Sequence, residues 1–226
     1  YDDFYFYTHF LDTELIYGRT LAQTVGTAVL RLADADVLPF RFTNLAATVQ
    51  TYVKELQALL KQRQDEIRER NRQIDDGVLA AMKDTRRPSV LPKKQEVPPA
   101  LNFAPLENAV GRLSEAASGL QQAIAGSGAK LTADKAALAA LNAKLRQSDQ
   151  QLIDAAGLPN RPWYQHLIYA PGFYTGYGVK TIPGVRENIE EGHYKEADAE
   201  VVRAAAAISR LAALLESAAA DVANLR

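Results

Sequence analysis

The stretch VVRAAAAISRLAALLESAAADVANL, residues 201–225, decides the fold predicted for this chain. Its apolar side chains repeat every seven residues in two interleaved sets, Val201, Ile208, Leu215 and Val222 with Ala204, Leu211, Ala218 and Leu225. Such a heptad keeps one apolar seam facing partner helices and favours left-handed, small-angle packing, and alanines permit close approach. We therefore predict a long helix, from about Lys195 onward, within a helical bundle.

A second long helix is predicted well before this one. Thr43 or Asn44 could cap its start, and an apolar stripe runs along one face over residues 45–60. If unbroken, the helical pattern extends about 40 residues, to Met82. Residues 61–72 carry closely spaced charges of both signs. That mixture indicates ion pairs on a solvated face more than a site for nucleic acid.

Two further helices are predicted between these. Residues 85–104 contain four prolines and little periodicity, which is typical of an extended connection. Pro105 fits the first turn of the next helix. The sequence GSG at 126–128 ends that helix, and a fourth runs from about Thr132 to Gly157. The expected fold is all-α, an up-and-down bundle of about four long helices.

A separate helix is predicted near the start of the chain, over residues 14–35. Its apolar side chains extend most of the way round, so we expect burial on several sides. Pro39, in the sequence Val-Leu-Pro-Phe at 37–40, ends it because proline cannot continue a helix.

The composition excludes several classes of function for this sequence. The chain has 226 residues, 47% of them hydrophobic, with a formal net charge of −1. Such a charge supplies no field that would attract nucleic acid or an anionic membrane surface. The absence of cysteine excludes disulfides, thiolate nucleophiles and cysteine metal ligands within this sequence. No apolar run is long enough to span a bilayer.

The segment before the last helix differs from the rest of the chain. Residues 157–184, GLPNRPWYQHLIYAPGFYTGYGVKTIPG, concentrate aromatic residues, prolines and glycines between two helical regions. Long loops in compact domains tend to be functional or disordered. Disordered segments are poor in aromatic residues, so we expect this aromatic loop to be ordered and functional.

No catalytic set is evident from the residues alone. His9, His166 and His193 are far apart and lack the spacing of a metal site. Adjacent carboxylates at 2–3, 75–76 and 190–191 point in different directions in a helix or strand, so we interpret them as solvated or helix-end charges. The glycines at 176 and 178 resemble half of a phosphate loop but follow no predicted strand.

The aromatic loop carries a resemblance to a known family. Its sequence LPNRPWYQH at 158–166, with YAP at 169–171 and IPGV at 182–185, resembles the C-terminal region of the glutamate carboxypeptidase II (prostate-specific membrane antigen) family. It is more distantly similar to the transferrin receptor. The resemblance extends upstream through residues 37–40 and downstream through the last helix, and so covers essentially the whole chain.

The resemblance implies a domain organisation. Residues 39–226 correspond to the family's transferrin-receptor-like dimerisation domain. Residues 1–38 correspond to the end of the preceding zinc peptidase domain, with the 14–35 helix as part of it. The sequence YDDF at 1–4 is similar to the segment just after the family's last zinc ligand. We therefore expect zinc and the catalytic residues in the parent peptidase domain, with no metal ligand, cofactor or catalytic residue in this fragment.

One substrate-binding residue is implied by the same resemblance. In the family a Lys-Tyr pair in this loop helps to hold the C-terminal glutamate of the substrate. Tyr177 aligns with that tyrosine, and Gly176 stands at the lysine position. Loss of an ammonium group argues against glutamate specificity. Lys180 is near, but three residues beyond Tyr177. Tyr177 could equally be a packing residue with one hydrogen-bonded tip.

The resulting hypothesis is a homodimerisation domain of a glutamate carboxypeptidase-like zinc metallopeptidase, whose loop closes the substrate pocket. Its expected partners are a second copy, its own peptidase domain and, through the loop, a peptide substrate. We expect no nucleic-acid partner and no membrane contact from this fragment, which alone would not be an enzyme. Family resemblance implies an extracytoplasmic location. Alternatives are a freestanding helical-bundle interaction or adaptor protein, and a receptor-type relative without catalysis.

Overall fold

A computed structural model describes residues 3–82 and 90–225, and it confirms the predicted all-α helical bundle. A small two-stranded sheet lies in the aromatic loop. In chain order the elements are α1 (Phe4–Phe6), a π-helical turn (Tyr7–Leu11), α2 (Ile16–Ala33), α3 (Phe42–Asp75), α4 (Val78–Ala81), α5 (Ala104–Ser127), α6 (Ala129–Ala133), α7 (Lys135–Arg146), a 3-10 turn (Asp149–Leu152), β1 (Tyr169–Pro171), β2 (Val179–Thr181), α8 (Pro183–Glu191) and α9 (Tyr194–Ala223).

The last helix, α9, is the centre of the bundle. It packs along α5 and also contacts α7, α8 and the 3-10 turn, while α3 packs against α5 and α8. All of its predicted heptad residues from Val201 to Val222 are buried. Leu56 of α3, Leu113 of α5 and Leu211 of α9 are fully buried within the same core cluster. The heptad therefore forms the core of this bundle.

The start and end of α3 differ from the prediction. The helix begins at Phe42 with Arg41 at its N-cap position and no side-chain capping bond, so the predicted cap at Thr43 or Asn44 is wrong. Thr43 instead lies in the first turn. Burial of Phe42 against the core explains the earlier start. The helix ends at Asp75 because Gly77 adopts φ 72°, and only the short α4 follows.

The predicted helix from Thr132 to Gly157 is shorter in the structure. The Asp134 carboxylate accepts hydrogen bonds from the backbone N–H groups of Ala136 and Ala137, which ends α6 and starts α7. Helix α7 then ends at Arg146. At the end of the 3-10 turn, the Leu152 carbonyl accepts a hydrogen bond from Leu167 N at 3.0 Å, so this part of the chain pairs with the aromatic loop.

Helix α2 forms as predicted but is uncovered. None of its residues is buried, and its large apolar side chains are between 43% and 74% exposed. At its start, the buried Asp12 carboxylate accepts hydrogen bonds from the backbone of Tyr17 and Gly18. A capped helix with exposed apolar faces is a candidate contact surface.

The charged half of α3 and the proline-rich connection lie side by side. Asn71 donates to the Gln95 carbonyl and accepts from Gln95 N, and Gln64 donates to the carbonyls of Pro98 and Pro99. Residues 90–103 form no helix or strand, as predicted, whereas 83–89 fall outside the described residues. Within 61–76, lysines and arginines pair with carboxylates one turn away. These pairs support the interpretation of a solvated, ion-paired face.

Candidate functional site

The aromatic loop, residues 157–184, is built on a short antiparallel hairpin. Strand β1 pairs with β2 in the register Tyr169 with Thr181, Ala170 with Lys180 and Pro171 with Val179. Ile182, with φ 45°, then turns the chain into α8. The residues that lead into and out of the hairpin, Ile168 and Ile182, are almost fully buried. The loop is thus ordered at its base, as the aromatic composition predicted.

Arginines of α9 hold the start of the loop. Arg203 donates to the Gly157 carbonyl at 2.9 Å and lies 3.3 Å from Asp154 and 2.6 Å from Glu200. Arg210 donates to the Ile153 carbonyl at 2.9 Å. A hydrogen bond from the Ala156 backbone lowers the pKa of Asp154, burial opposes that shift, and Arg203 adds to it. These bonds satisfy carbonyls that no helix or strand uses.

A buried ion pair lies in the middle of the loop. Arg161 is 2% exposed, and its Nη2 donates to Oε2 of Glu187 on α8 at 2.7 Å. Nη1 of Arg161 donates to the Pro171 carbonyl. Oε1 of Glu187 accepts from Phe173 N at 2.8 Å. One carboxylate therefore connects the turn around Arg161 to the residues that follow β1.

The far side of the hairpin has its own ion pairs. Lys180 of β2 donates to both carboxylate oxygens of Glu190, at 2.9 and 2.8 Å. Arg186 of α8 donates to the Thr181 carbonyl and hydroxyl and to Glu55 of α3. The loop is consequently tied to three helices of the bundle.

The outer part of the loop forms an open aromatic groove of about 560 Å³. Trp163, Tyr174 and Tyr177 are mostly or fully exposed, and Tyr164 and Phe173 are partly exposed. The groove is lined chiefly by Arg161, Trp163, Tyr164, Phe173, Gly176 and Tyr177. Exposed aromatic side chains on a buried frame are suited to contact with another molecule.

The structure brings the predicted residues Tyr177 and Gly176 together in this groove. The Tyr177 side chain is fully exposed in this chain. Gly176 adopts φ 60°, and a Cβ there would meet no atom of the described residues within 4 Å. The left-handed backbone thus favours glycine at 176 without any steric need for it. Lys180 does not line the groove, because its ammonium group binds Glu190.

The three histidines are dispersed, as their spacing indicated. His9 stacks on Tyr5, His193 lies 3.4 Å from Glu191, and His166 lies beside Asp149 and Tyr169. Within residues 3–82 and 90–225, no group of three or more His, Asp or Glu side chains could hold a metal. Of the adjacent carboxylates, Asp2 falls outside the described residues, and Glu190 binds Lys180.

His166 nevertheless has a defined role in the loop. Its Nδ1 accepts hydrogen bonds from the backbone N–H groups of Ile168 and Tyr169, at 3.2 and 3.3 Å. The ring is therefore neutral, with its proton on Nε2, which lies 3.4 Å from Asp149. Burial lowers the pKa of His166, and the carboxylate of Asp149 opposes that shift.

Sequence reasoning missed the pair of Arg161 and Glu187. The available signal was Arg161, which lies between two prolines and is the one Lys, Arg, Asp or Glu in the sequence of residues 155–179. A charged residue in such surroundings needs a partner. The sequence did not indicate which of several later carboxylates would be that partner.

Comparison with known proteins identifies a family that covers both the bundle and the loop. Residues 101–216 match the transferrin receptor-like dimerisation domain. A probable glutamate carboxypeptidase of Arabidopsis thaliana is 27% identical over 192 residues, covering 84% of this chain and 22% of that protein. A probable glutamate carboxypeptidase of Arthroderma benhamiae is 39% identical over 77 residues, covering 34% of this chain and 11% of that protein.

A third relative is named as inactive. It is an inactive zinc metalloprotease of Schizosaccharomyces pombe, 36% identical over 69 residues, which cover 30% of this chain and 9% of that protein. The matched part of the chain spans about a fifth of the length of the plant relative and about a tenth of the length of each fungal one. No helix among the described residues is long and apolar enough to cross a membrane. On the family match and the helical fold, the chain belongs to the transferrin receptor-like dimerisation domain family.

Proposed function

We propose that this chain is the homodimerisation domain of a glutamate carboxypeptidase-like zinc metallopeptidase, and that its aromatic loop closes the substrate pocket of that peptidase. In this proposal residues 39–226 form the dimerisation domain, and residues 1–38 belong to the peptidase domain. The proposal combines an association role, carried by the bundle, with a substrate-contact role, carried by the loop.

The association role is supported by the family and by the fold. The family is described as a dimerisation domain. The core cluster of the bundle extends from Phe42 to Val222 and needs no residue before Val37. A bundle with a complete core of its own can associate as a unit.

Exposed apolar surface supports the place of residues 1–38. Phe4, Phe10, Leu21 and Leu30 are each more than 60% exposed. Surface of this kind is typical of a protein interface. We propose that the peptidase domain covers it in the full-length protein. That domain would also hold zinc and the catalytic groups, in keeping with the names of the relatives. By the same family resemblance, we place the protein outside the cytoplasm.

A single observation carries the substrate-contact role. Tyr177 is fully exposed in the tip of the loop, residues 172–178 between β1 and β2. The rest of the loop is ion-paired to α8 through Arg161 and Lys180 and hydrogen-bonded to α9 through the Gly157 carbonyl. Ordering a long loop costs conformational entropy. The Tyr177 side chain offsets little of that cost within this chain, because it is fully exposed. A rigid aromatic tip beside an open groove is suited to bind a peptide that the peptidase domain presents.

The test uses the full-length protein that contains this chain, with steady-state kinetics on N-acylated dipeptides ending in glutamate or leucine. Tyr177→Ala should raise KM about tenfold with little change in kcat, because the side chain supplies binding to substrate and transition state alike. Tyr174→Ala is the matched control, because Tyr174 is exposed on the same tip but does not line the groove. Equal effects of the two variants would contradict the role of Tyr177.

Metal removal separates the peptidase from the non-catalytic alternative. Chelation should abolish hydrolysis by the full-length protein, and added Zn²⁺ should restore it. A full-length protein that binds no zinc would be a receptor-type relative, an option kept open by the inactive relative. An unrelated domain before residue 1 would favour the freestanding adaptor.

A further inference from the structure

We propose that Arg161 and Glu187 are positioning residues, which hold the aromatic groove of the loop in its binding geometry. The proposal rests on the proposed function of the loop at a substrate pocket. It assigns to a buried ion pair the orientation of Tyr164, Phe173 and Tyr177, which reach the surface around it.

The contacts of this pair join separate parts of the loop. Arg161 belongs to the turn that contains Asn160 at φ 59°, and it binds both Glu187 and the Pro171 carbonyl. Glu187 also accepts the hydrogen bond from Phe173 N. The pair therefore links the first turn of the loop, the end of β1 and the start of the tip to one position on α8.

The guanidinium group also contacts the rings of the groove. Its central carbon lies 5.4 Å from the ring centroid of Tyr164 and 5.8 Å from that of Phe173. Both distances allow a cation–π interaction, which is stronger where the cation is shielded from water. The planar charge of Arg161 thus orients two rings that line the same groove as Tyr177.

Fold stability alone does not account for this pair. Burial of two charges costs solvation energy, and apolar residues of similar volume often replace such a pair without loss of stability. Nε of Arg161 is buried and has no hydrogen-bond partner among the described residues, which adds to the cost. The loop has other anchors at Arg203, Lys180 and Arg186. In addition, this ion pair fixes the position of the tip relative to α8.

The first experiment measures the tip directly, in the full-length protein. The double variant Arg161→Met with Glu187→Met replaces the whole ion pair by apolar groups, so it should fold even where a single variant leaves a buried charge unpaired. Amide hydrogen exchange is read at Gly172, Gly176 and Gly178, whose N–H groups bond within the tip and not to the pair. Exchange there should rise about tenfold while the bundle amides stay protected. Unchanged exchange in the tip would overturn the proposal.

Kinetics of the same variants then separate this inference from the proposed function. The double variant should keep the wild-type melting temperature within a few degrees but raise KM about tenfold, with kcat within about twofold. Arg161→Lys should give a smaller rise, because lysine keeps the charge but lacks the planar fork. Arg112→Met, which breaks the exposed pair with Glu216 on α5 and α9, is the matched control and should leave KM unchanged.

The combined outcomes are distinct. If exchange rises but neither the double variant nor Tyr177→Ala changes KM, the pair positions the tip and the loop does not contact the substrate. If Tyr177→Ala raises KM while the double variant keeps wild-type KM, the loop contacts the substrate and the positioning role of the pair is wrong.

Discussion

At the scale of single residues, the loop depends on backbone positions that few side chains can occupy. Gly157 has φ 68°, and a Cβ there would lie 2.2 Å from the Pro162 carbonyl oxygen. Its own carbonyl accepts the bond from Arg203. The turn that starts the loop thus needs glycine both for its dihedral angle and for the close approach of the chain.

Gly157→Ala should lower the free energy of unfolding by at least about 2 kcal/mol, because left-handed strain and the contact with Pro162 add together. Urea unfolding followed by circular dichroism measures this. The control is Gly111→Ala in α5, where a Cβ would meet no atom of the described residues within 4 Å. That change should stabilise the helix by about 0.5–1 kcal/mol. A Gly157→Ala protein as stable as wild type would contradict the assignment of this turn.

A second residue-scale prediction concerns pH. His166 has a folded-state pKa below its ordinary value of 6.5, so the unfolded chain binds the proton more readily than the folded one. The stability that neutral His166 contributes is complete above about pH 6.5 and is lost as the pH falls through and below that value. Unfolding free energies measured across this range should therefore fall on acidification.

The control for that pH series is His166→Asn, because an amide oxygen can accept the bonds from Ile168 N and Tyr169 N without titrating. The loss on acidification should be smaller in this variant than in the wild type. An equal loss in both proteins would show that the pH dependence comes from other groups.

At the scale of elements, the apolar face of α3 is buried, whereas the apolar surface of α2 is exposed. Val49, Val53, Leu56 and Leu60 of α3 form one buried stripe against α5. Helix α2 has an apolar surface of comparable extent but no buried residue. Helical periodicity is the same kind of signal in both, yet only α3 has its partner within this chain.

Leu56→Ala should destabilise this chain by about 2–5 kcal/mol, because a fully buried leucine leaves a cavity. Leu21→Ala, at a leucine that is 64% exposed, should change stability by less than about 0.5 kcal/mol. In the full-length protein, where we propose that the peptidase domain covers α2, Leu21→Ala should cost as much as a core substitution. Thermal unfolding of both lengths measures this, and a neutral Leu21→Ala in full-length protein would refute the covering of α2.

At the scale of the whole molecule, the bundle and the segment before it behave as separate parts. The amide of Asn142 on α7 joins them at the boundary, donating to the Asp36 carbonyl and accepting from Leu38 N. Among the described residues, all buried apolar side chains lie at Phe42 or later, whereas no apolar side chain before Val37 is buried. The proposed boundary near residue 38 therefore coincides with the edge of the core.

Residues 39–226 expressed alone should fold, because the core is complete without α2. The fragment should form a discrete homodimer in sedimentation equilibrium, because the family it matches is a dimerisation domain. The chain of residues 1–226 should associate further, since exposed apolar surface on α2 adds contacts. A purely monomeric 39–226 fragment at the highest soluble concentration would contradict the dimerisation role.

The sequence by itself determined the features that depend on local periodicity. The heptad from Val201 to Val222 predicted the central helix, and the change to aromatic, proline and glycine residues after Gly157 located the loop. Helix period and turn chemistry are carried by neighbouring residues, so both can be predicted without coordinates. The same is true of the local ion pairs within 61–76.

Only the tertiary structure decided which distant groups meet. Arg161 and Glu187 are separated by 26 residues in sequence. The ammonium group of Lys180 binds Glu190 and does not enter the groove, where the family resemblance places a lysine. The end of α7 at Arg146 and the full exposure of Tyr177 were likewise seen only in the structure. Long-range pairs depend on how the bundle brings chain segments together, which no local pattern of residues encodes.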